Sequence, residues 1–324
     1  MIAPQTTGLD AGILDLIERI DPQQIHAHVE TITSYGPRCE ATPAGVRQVL
    51  HYMKSTLAAW SYAVHEEACP HSDLQVNVFV ESQGTSDPHT VIEIGAHYDT
   101  VGGSPGADDN ASGVAGLLEI ARVLRIARCA RTIRLCFFAL EEEGRRGGSY
   151  EHVARLRTRP EERHLGILVF EMIGFSRATP GSQRAPVRIP FLFSPPTTGD
   201  FICLVSNIAS AGIASRFERA ARRFVPDLRV YAVKRLGGLL RDAARSDHVP
   251  YWAARRSAIM ITDTANFRNP HYHKPTDTAD TLDYTFCTRV ARATLATVLQ
   301  WAGLDPTTRP SDGAPYGRVE RTVR

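Results

Sequence analysis

The chain has 324 residues, 43% of them hydrophobic and 22% charged, with a formal net charge of +2. That length fits roughly two ordinary domains or one large α/β domain, and the composition excludes a disordered, collagen-like or coiled-coil chain. The near-neutral balance gives no field that would recruit nucleic acid or anionic lipid. The longest apolar runs, such as Ile167-Leu168-Val169-Phe170, fall far below the ~18 residues of a membrane span.

In chain order, Leu9 to Ile20 carries apolar residues at helical spacing, and Thr42-Pro43 opens a second helix that runs to about Trp60. Strands are predicted at 62–67, at 75–82 with Val76, Val78 and Val80 alternating, and at 90–96. A helix over 113–125 places Val114, Leu117, Leu118, Ala121 and Leu124 on one face. Residues 132–139, 166–170 and 257–262 read as buried strands. A Pro-, Ser-, Thr- and Gly-rich connection covers 176–200, followed by a helix at about 200–224, a strand at 228–233 and a last helix at about 284–302. The expected architecture is a three-layer α/β sandwich around a central mixed, mostly parallel sheet. The expected organisation is a helical lead-in over 1–22, one domain over 23–303 and a polar, loosely held tail over 304–324.

Cys39, Cys69, Cys129, Cys136, Cys203 and Cys287 form no CxxC pair, so reduced thiols are expected, with Cys136 and Cys203 as small core residues. The Arg216–Arg223 cluster reads as a solvated helix face. The first 30 residues have neither the basic start nor the apolar run of a secretory leader. A cytoplasmic protein is therefore expected, with a processed secreted form as the alternative.

Polar, metal-ligating residue types recur where predicted strands end. Gly95-Ala96-His97-Tyr98-Asp99 follows the run Val91–Ile94, and Asp108-Asp109-Asn110 directly precedes a helix. Glu141-Glu142-Glu143-Gly144 follows Phe137-Phe138, and Glu171 follows Ile167–Phe170. His271-Tyr272-His273 comes late in the chain. Loops at strand carboxyl ends of an α/β sheet converge on one crevice. Four carboxylates there (Asp109, Glu141, Glu142, Glu171) cannot all stay ionised without cations. Two divalent ions with two imidazoles balance the charge, and zinc suits such a mixed nitrogen and oxygen set, with Co or Mn as possible substitutes. Asp99 lies on the same side of an extended segment as His97 and can take its second ring N–H. Singly, each motif has an ordinary structural explanation as a helix cap, a surface loop or a solvated acidic face.

Ordered in this way, the motifs resemble the zinc aminopeptidases of peptidase family M28. The matching stretches run from about Tyr35 to Leu282 and include Phe267–His273 and Ser246-Asp247-His248. The resemblance implies a zinc-exopeptidase fold with a peptidase domain over 23–303. It implies that His97 and Glu171 hold one zinc, that Glu142 and His273 hold the other, and that Asp109 bridges both. Glu141 is then the general base and acid, Asp99 orients His97, and Tyr272, aided by Arg245, hydrogen-bonds the developing oxyanion. A cis peptide after Asp109 is also implied. Two departures stand out: many members have Asp where this chain has Glu171, and Gly147-Gly148-Ser149 is one residue longer than the common spacing. The second leaves an alternative frame in which Glu142 is the base and Glu143 the ligand. The implied substrate is a peptide with a free N-terminus. The alternatives are glutaminyl cyclisation, carboxypeptidase or small-amide hydrolysis on the same fold, and a binding protein that has lost catalysis.

Overall fold

The computed structural model describes residues 8–144, 147–185, 188, 194–234, 237 and 241–305. Three helices come first: α1 (Gly8–Glu18), α2 (Pro22–Ser34) and α3 (Pro43–Ala59). Strands β1 (His65–Ala68), β2 (Val76–Ser82) and β3 (Asp87–His97) follow, then α4 (Gly113–Leu124) and β4 (Arg131–Phe138). Next are α5 (Gly148–Arg155), β5 (Arg163–Glu171), β6 (Arg177–Pro180), β7 (Thr198–Gly199) and β8 (Phe201–Ser206). The chain continues with α6 (Ala211–Phe224), β9 (Arg229–Val233), α7 (Val249–Ala253), β10 (Ala258–Thr262) and α8 (Tyr284–Ala302).

Eight strands form one mixed sheet in the order β1-β2-β4-β3-β5-β10-β8-β9. The central run β4-β3-β5-β10 is parallel, while β1, β2 and β8 join their inner neighbours antiparallel. Period-two alternation sorts the strand residues between two faces. Leu168 and Phe170 point into the larger core with Val114, Leu117, Phe217 and Leu299 from the helices. Ile167 and Val169 point into the smaller one with Val153 of α5 and Tyr251 of α7. Helices therefore cover both faces, which gives the expected three layers. α1 buries Ile13, Leu16 and Ile17 in the larger core.

Two elements differ from the sequence reading. Residues 201–206 are a strand, not the start of a helix, and the helix begins only at Ala211. The run Phe201–Val205 is apolar on both faces, and periodicity alone does not separate such a segment from a buried helix. Helix α2 was not expected, although its start signals are strong. Asp21 accepts the Gln23 N–H and Pro22 sits in the first turn. The arginines of the Arg216–Arg223 face are exposed, as expected, with Arg216 over the Trp301 ring and Arg223 paired with Asp10. The tail beyond Asp305 lies outside the described residues.

Candidate metal centre

Parallel register decides where the site forms. His97 pairs with Phe138 across β3 and β4, and Ala96 pairs with Phe170 across β3 and β5. Three strands thus end at one level of one sheet edge, delivering His97, the Glu141-Glu142 loop and Glu171 together. The helical turn Ala107–Ser112 brings Asp109 across that edge, with a cis Asp109–Asn110 peptide. The loop after β10 contributes Tyr272 and His273.

Asp109 stands at the centre. Its Oδ1 is 3.4 Å from His97 Nε2, and its Oδ2 is 3.1 Å from His273 Nε2. Glu171 Oε2 lies 3.5 Å from His97 Nε2, and Glu142 Oε2 lies 3.2 Å from His273 Nε2. Two three-residue donor sets result, His97-Asp109-Glu171 and Asp109-Glu142-His273, each with its donor atoms within 4.8 Å of one another. His97 Nε2, both Asp109 oxygens and Glu142 Oε1 are buried and have no hydrogen-bond partner. Buried polar atoms without partners are costly. Such atoms on His97, Asp109 and Glu142, with Glu171 and His273 completing the donor sets, fit divalent cations, and the nitrogen and oxygen donors suit zinc. Glu143 is exposed, whereas Glu142 faces His273, so the geometry favours the frame with Glu142 in the donor set.

The protonation tendencies follow from the crowding. Burial raises the Glu142 carboxyl, with Asp109 adding to it, to about 7. Burial raises Glu141 well above the ordinary carboxylate range; His97 opposes this, while Glu171, Glu142 and Asp247 reinforce it. Burial lowers His273, but the facing Asp109 and Glu142 carboxylates outweigh it and raise the imidazole to about 10.

A ring of buried groups holds the donors in place. Asp277 Oδ1 and Oδ2 accept the Asp108 and Asp109 N–H groups at 3.0 and 3.1 Å. Asn110 ties the turn to the end of β5, donating to Phe170 O at 2.8 Å and accepting the Met172 N–H at 3.1 Å. Ser246 Oγ donates to Glu171 Oε2 at 2.5 Å. Asp99 does more than face His97, whose Nδ1 is 3.5 Å from its Oδ1. Its two carboxylate oxygens also accept the Glu141 and Glu142 N–H groups, both at 3.1 Å. Arg38 is fully buried and donates to Tyr98 O, Pro105 O and Gly106 O. The sequence carries no sign of this, because nothing about an Arg between Pro37 and Cys39 announces burial.

A cavity of about 570 Å³ opens onto the cluster and is lined by Glu141, Glu142, Glu171, Tyr272 and His273. Tyr272 stacks on His273, and its hydroxyl accepts from Arg245 Nη2 at 2.6 Å. Farther in, the walls are apolar: Phe201, Cys203 and Val205 of β8, Val233 of β9 and Met260 of β10. Cys203 is thus a cavity-wall residue as well as a core one. Asp247, also in the wall, is buried with both oxygens unpartnered. Burial raises its carboxyl to about 7, with Asp99 and Glu171 adding to the shift and His97 opposing it. The sequence reading noticed Asp247 only as part of a motif and missed the apolar wall altogether.

The profile of peptidase family M28 matches residues 77–298. An uncharacterized protein, YfbL, of Escherichia coli K12 is 36% identical over 278 residues, covering 81% of this chain and 83% of its own length. A probable zinc metalloprotease of Leptosphaeria maculans is 29% identical over 68% of this chain, and the match spans 56% of that protein. Leucine aminopeptidase 1 of Pyrenophora teres f. teres is 31% identical over 47% of this chain and 44% of its own length. Among solved structures, LapB of Legionella pneumophila superposes with a TM-score of 0.75 at 23% identity, covering 90% of this chain and 75% of LapB. The glutaminyl cyclase of Porphyromonas gingivalis shares the fold with a TM-score of 0.63 at 20% identity, covering 87% and 98%. With a family profile spanning most of its length and the donor clusters at the positions of the motifs, this chain belongs to peptidase family M28.

Proposed function

We propose that the chain is a zinc-dependent aminopeptidase that removes N-terminal residues from peptides. The observation that carries this reading is the Asp109 carboxylate standing between His97 and His273, with Glu171 and Glu142 completing two donor sets. In this reading His97, Asp109 and Glu171 hold one zinc, and Asp109, Glu142 and His273 hold a second. Zinc so bound supplies Lewis acidity at the scissile carbonyl and acidifies the attacking water.

The chain's own groups do the rest. Glu141 faces the cavity beside the two donor sets, in position to take a proton from the attacking water and return it to the leaving amine. The Tyr272 oxygen accepts from Arg245, which leaves its own proton free to donate to the developing oxyanion. The carboxylates of Glu171 and Asp247 line the same cavity and give a free α-ammonium group a favourable seat. The apolar wall from Phe201 to Met260 favours an apolar side chain on the residue removed. No described helix is long and apolar enough to cross a membrane.

The test is a panel of aminoacyl p-nitroanilides with and without a chelator, alongside metal analysis. Apolar aminoacyl amides should be cleaved, chelation should abolish turnover, and metal should approach two zinc per chain. Glu141→Gln should lower kcat by about 10²–10⁴ while zinc content is retained. Turnover that ignores chelation, or survives in Glu141→Gln, would sink the reading. Conversion of an N-terminal glutaminyl peptide to its pyroglutamyl form with loss of ammonia, and no peptide-bond hydrolysis, would assign the site to cyclisation instead.

A further inference from the structure

The loop that carries Glu141 and Glu142 leaves the sheet at Ala139 and returns at Gly148, where α5 begins. One bond closes its neck directly, the Gly148 N–H donating to Ala139 O at 2.6 Å. The matching second bond is not made by backbone. Asn77, a buried residue of β2, supplies it: Oδ1 accepts the Ala139 N–H at 3.1 Å, and Nδ2 donates to Gly148 O at 2.8 Å. The carboxamide therefore spans both stems of the loop. Its orientation is held by Glu67, whose Oε2 lies 3.3 Å from Nδ2 and 2.8 Å from His152 Nδ1. His152 belongs to α5, so the helix leaving the loop is tied to the same carboxylate. Gly148 is the complementary feature, since a Cβ there would lie 1.9 Å from Asn77 Oδ1.

We infer that Asn77 is a positioning residue for Glu141 and Glu142, acting through the neck of their loop. The inference rests on the dizinc reading above for its consequence, though not for its geometry. A carboxamide offers one acceptor and one donor in a single plane, which is what an N–H and a C=O on opposite stems require. Aspartate lacks the donor, and serine is too short to reach both stems. The lesion should be one-sided. Glu142 rides on this loop, whereas His97 and Glu171 sit on strands β3 and β5 themselves, His97 meeting the loop through Asp99.

The experiment compares full-length Asn77→Asp and Gly148→Ala with the unsubstituted protein. Three readouts are taken: hydrogen exchange of the Leu140–Gly144 amides without metal, zinc competition against a chromogenic chelator, and the split between kcat and KM. Exchange in the loop should quicken, and one zinc equivalent should bind about 10–100-fold more weakly while the other is retained. kcat should fall about 100-fold with KM little changed. If Asn77→Asp does not fold, Asn77→Ser carries the same comparison. Folded variants with unchanged loop exchange, two zinc equivalents of undiminished affinity and full kcat would overturn the inference. Should the unsubstituted protein bind no zinc, the functional reading fails, and the exchange comparison still decides the role of Asn77.

Discussion

Asp277 Oδ2 accepts the backbone N–H of Asp109 at 3.1 Å, across 168 positions of sequence. The bond fixes the peptide unit from which the central carboxylate of the site projects, and Asp277 Oδ1 secures the neighbouring Asp108 N–H. Asp277→Asn keeps the shape but replaces one acceptor oxygen with a donor facing an N–H. Zinc affinity should fall by about 10–100-fold, measured by competition with a chelator. Wild-type affinity in a folded variant would show that Asp109 is held by other contacts.

Arg38 underpins the same turn. Burial lowers its guanidinium to about 10, with Asp99, Asp277 and Asp109 pulling the other way. Lys in its place has no fork to reach Tyr98 O, Pro105 O and Gly106 O together. Arg38→Lys should destabilise the fold by about 1–3 kcal/mol through the carbonyls left unpaired, read from denaturant unfolding, and should weaken zinc binding in parallel.

His152 gives the stability an alkaline limb. Burial by itself lowers its pKa, but Cys136, Glu93 and Glu67 against the ring outweigh that and raise it well above the ordinary value. A raised folded pKa means the contribution is complete below the unfolded value of about 6.5. It is then lost as pH rises through the folded pKa. Thermal midpoints followed upward from neutral pH should therefore decline more steeply in the native protein than in His152→Gln. Parallel curves would remove His152 as the source.

Met260 lines the apolar wall of the cavity. Met260→Trp should lower kcat/KM for large apolar aminoacyl amides by about 10-fold or more, with little effect on alanyl amides. A uniform loss across the panel would place the side-chain pocket elsewhere.

The α/β class and the positions of most strands along the chain were legible because their signals are local. Ile167–Phe170 is a short apolar run, and α8 is expected at about residues 284–302, where the structure places it. The ligand-type residues at strand ends were equally legible, since a parallel sheet carries strand carboxyl ends to one edge. Less legible locally are the strand at Phe201–Ser206, an apolar run that neither period describes, and α2, whose local mark is its Asp21-Pro22 start.

By itself the sequence determined which residue types stand at the ends of which strands, and hence the class of chemistry open to this chain. Only the tertiary structure decided which frame of the glutamate run faces His273. It also decided that Asp277 and Arg38 bond the turn that carries Asp109, that Asn77 spans the neck of the glutamate loop, and that β8, β9 and β10 contribute an apolar wall to the cavity. The physical reason is range. Helix caps, turns and strand runs are written in neighbouring residues, whereas a buried polar group finds its partners through sheet register and layer packing. Glu142 meets His273, and Asn77 meets Gly148, across distances in sequence that no local pattern encodes.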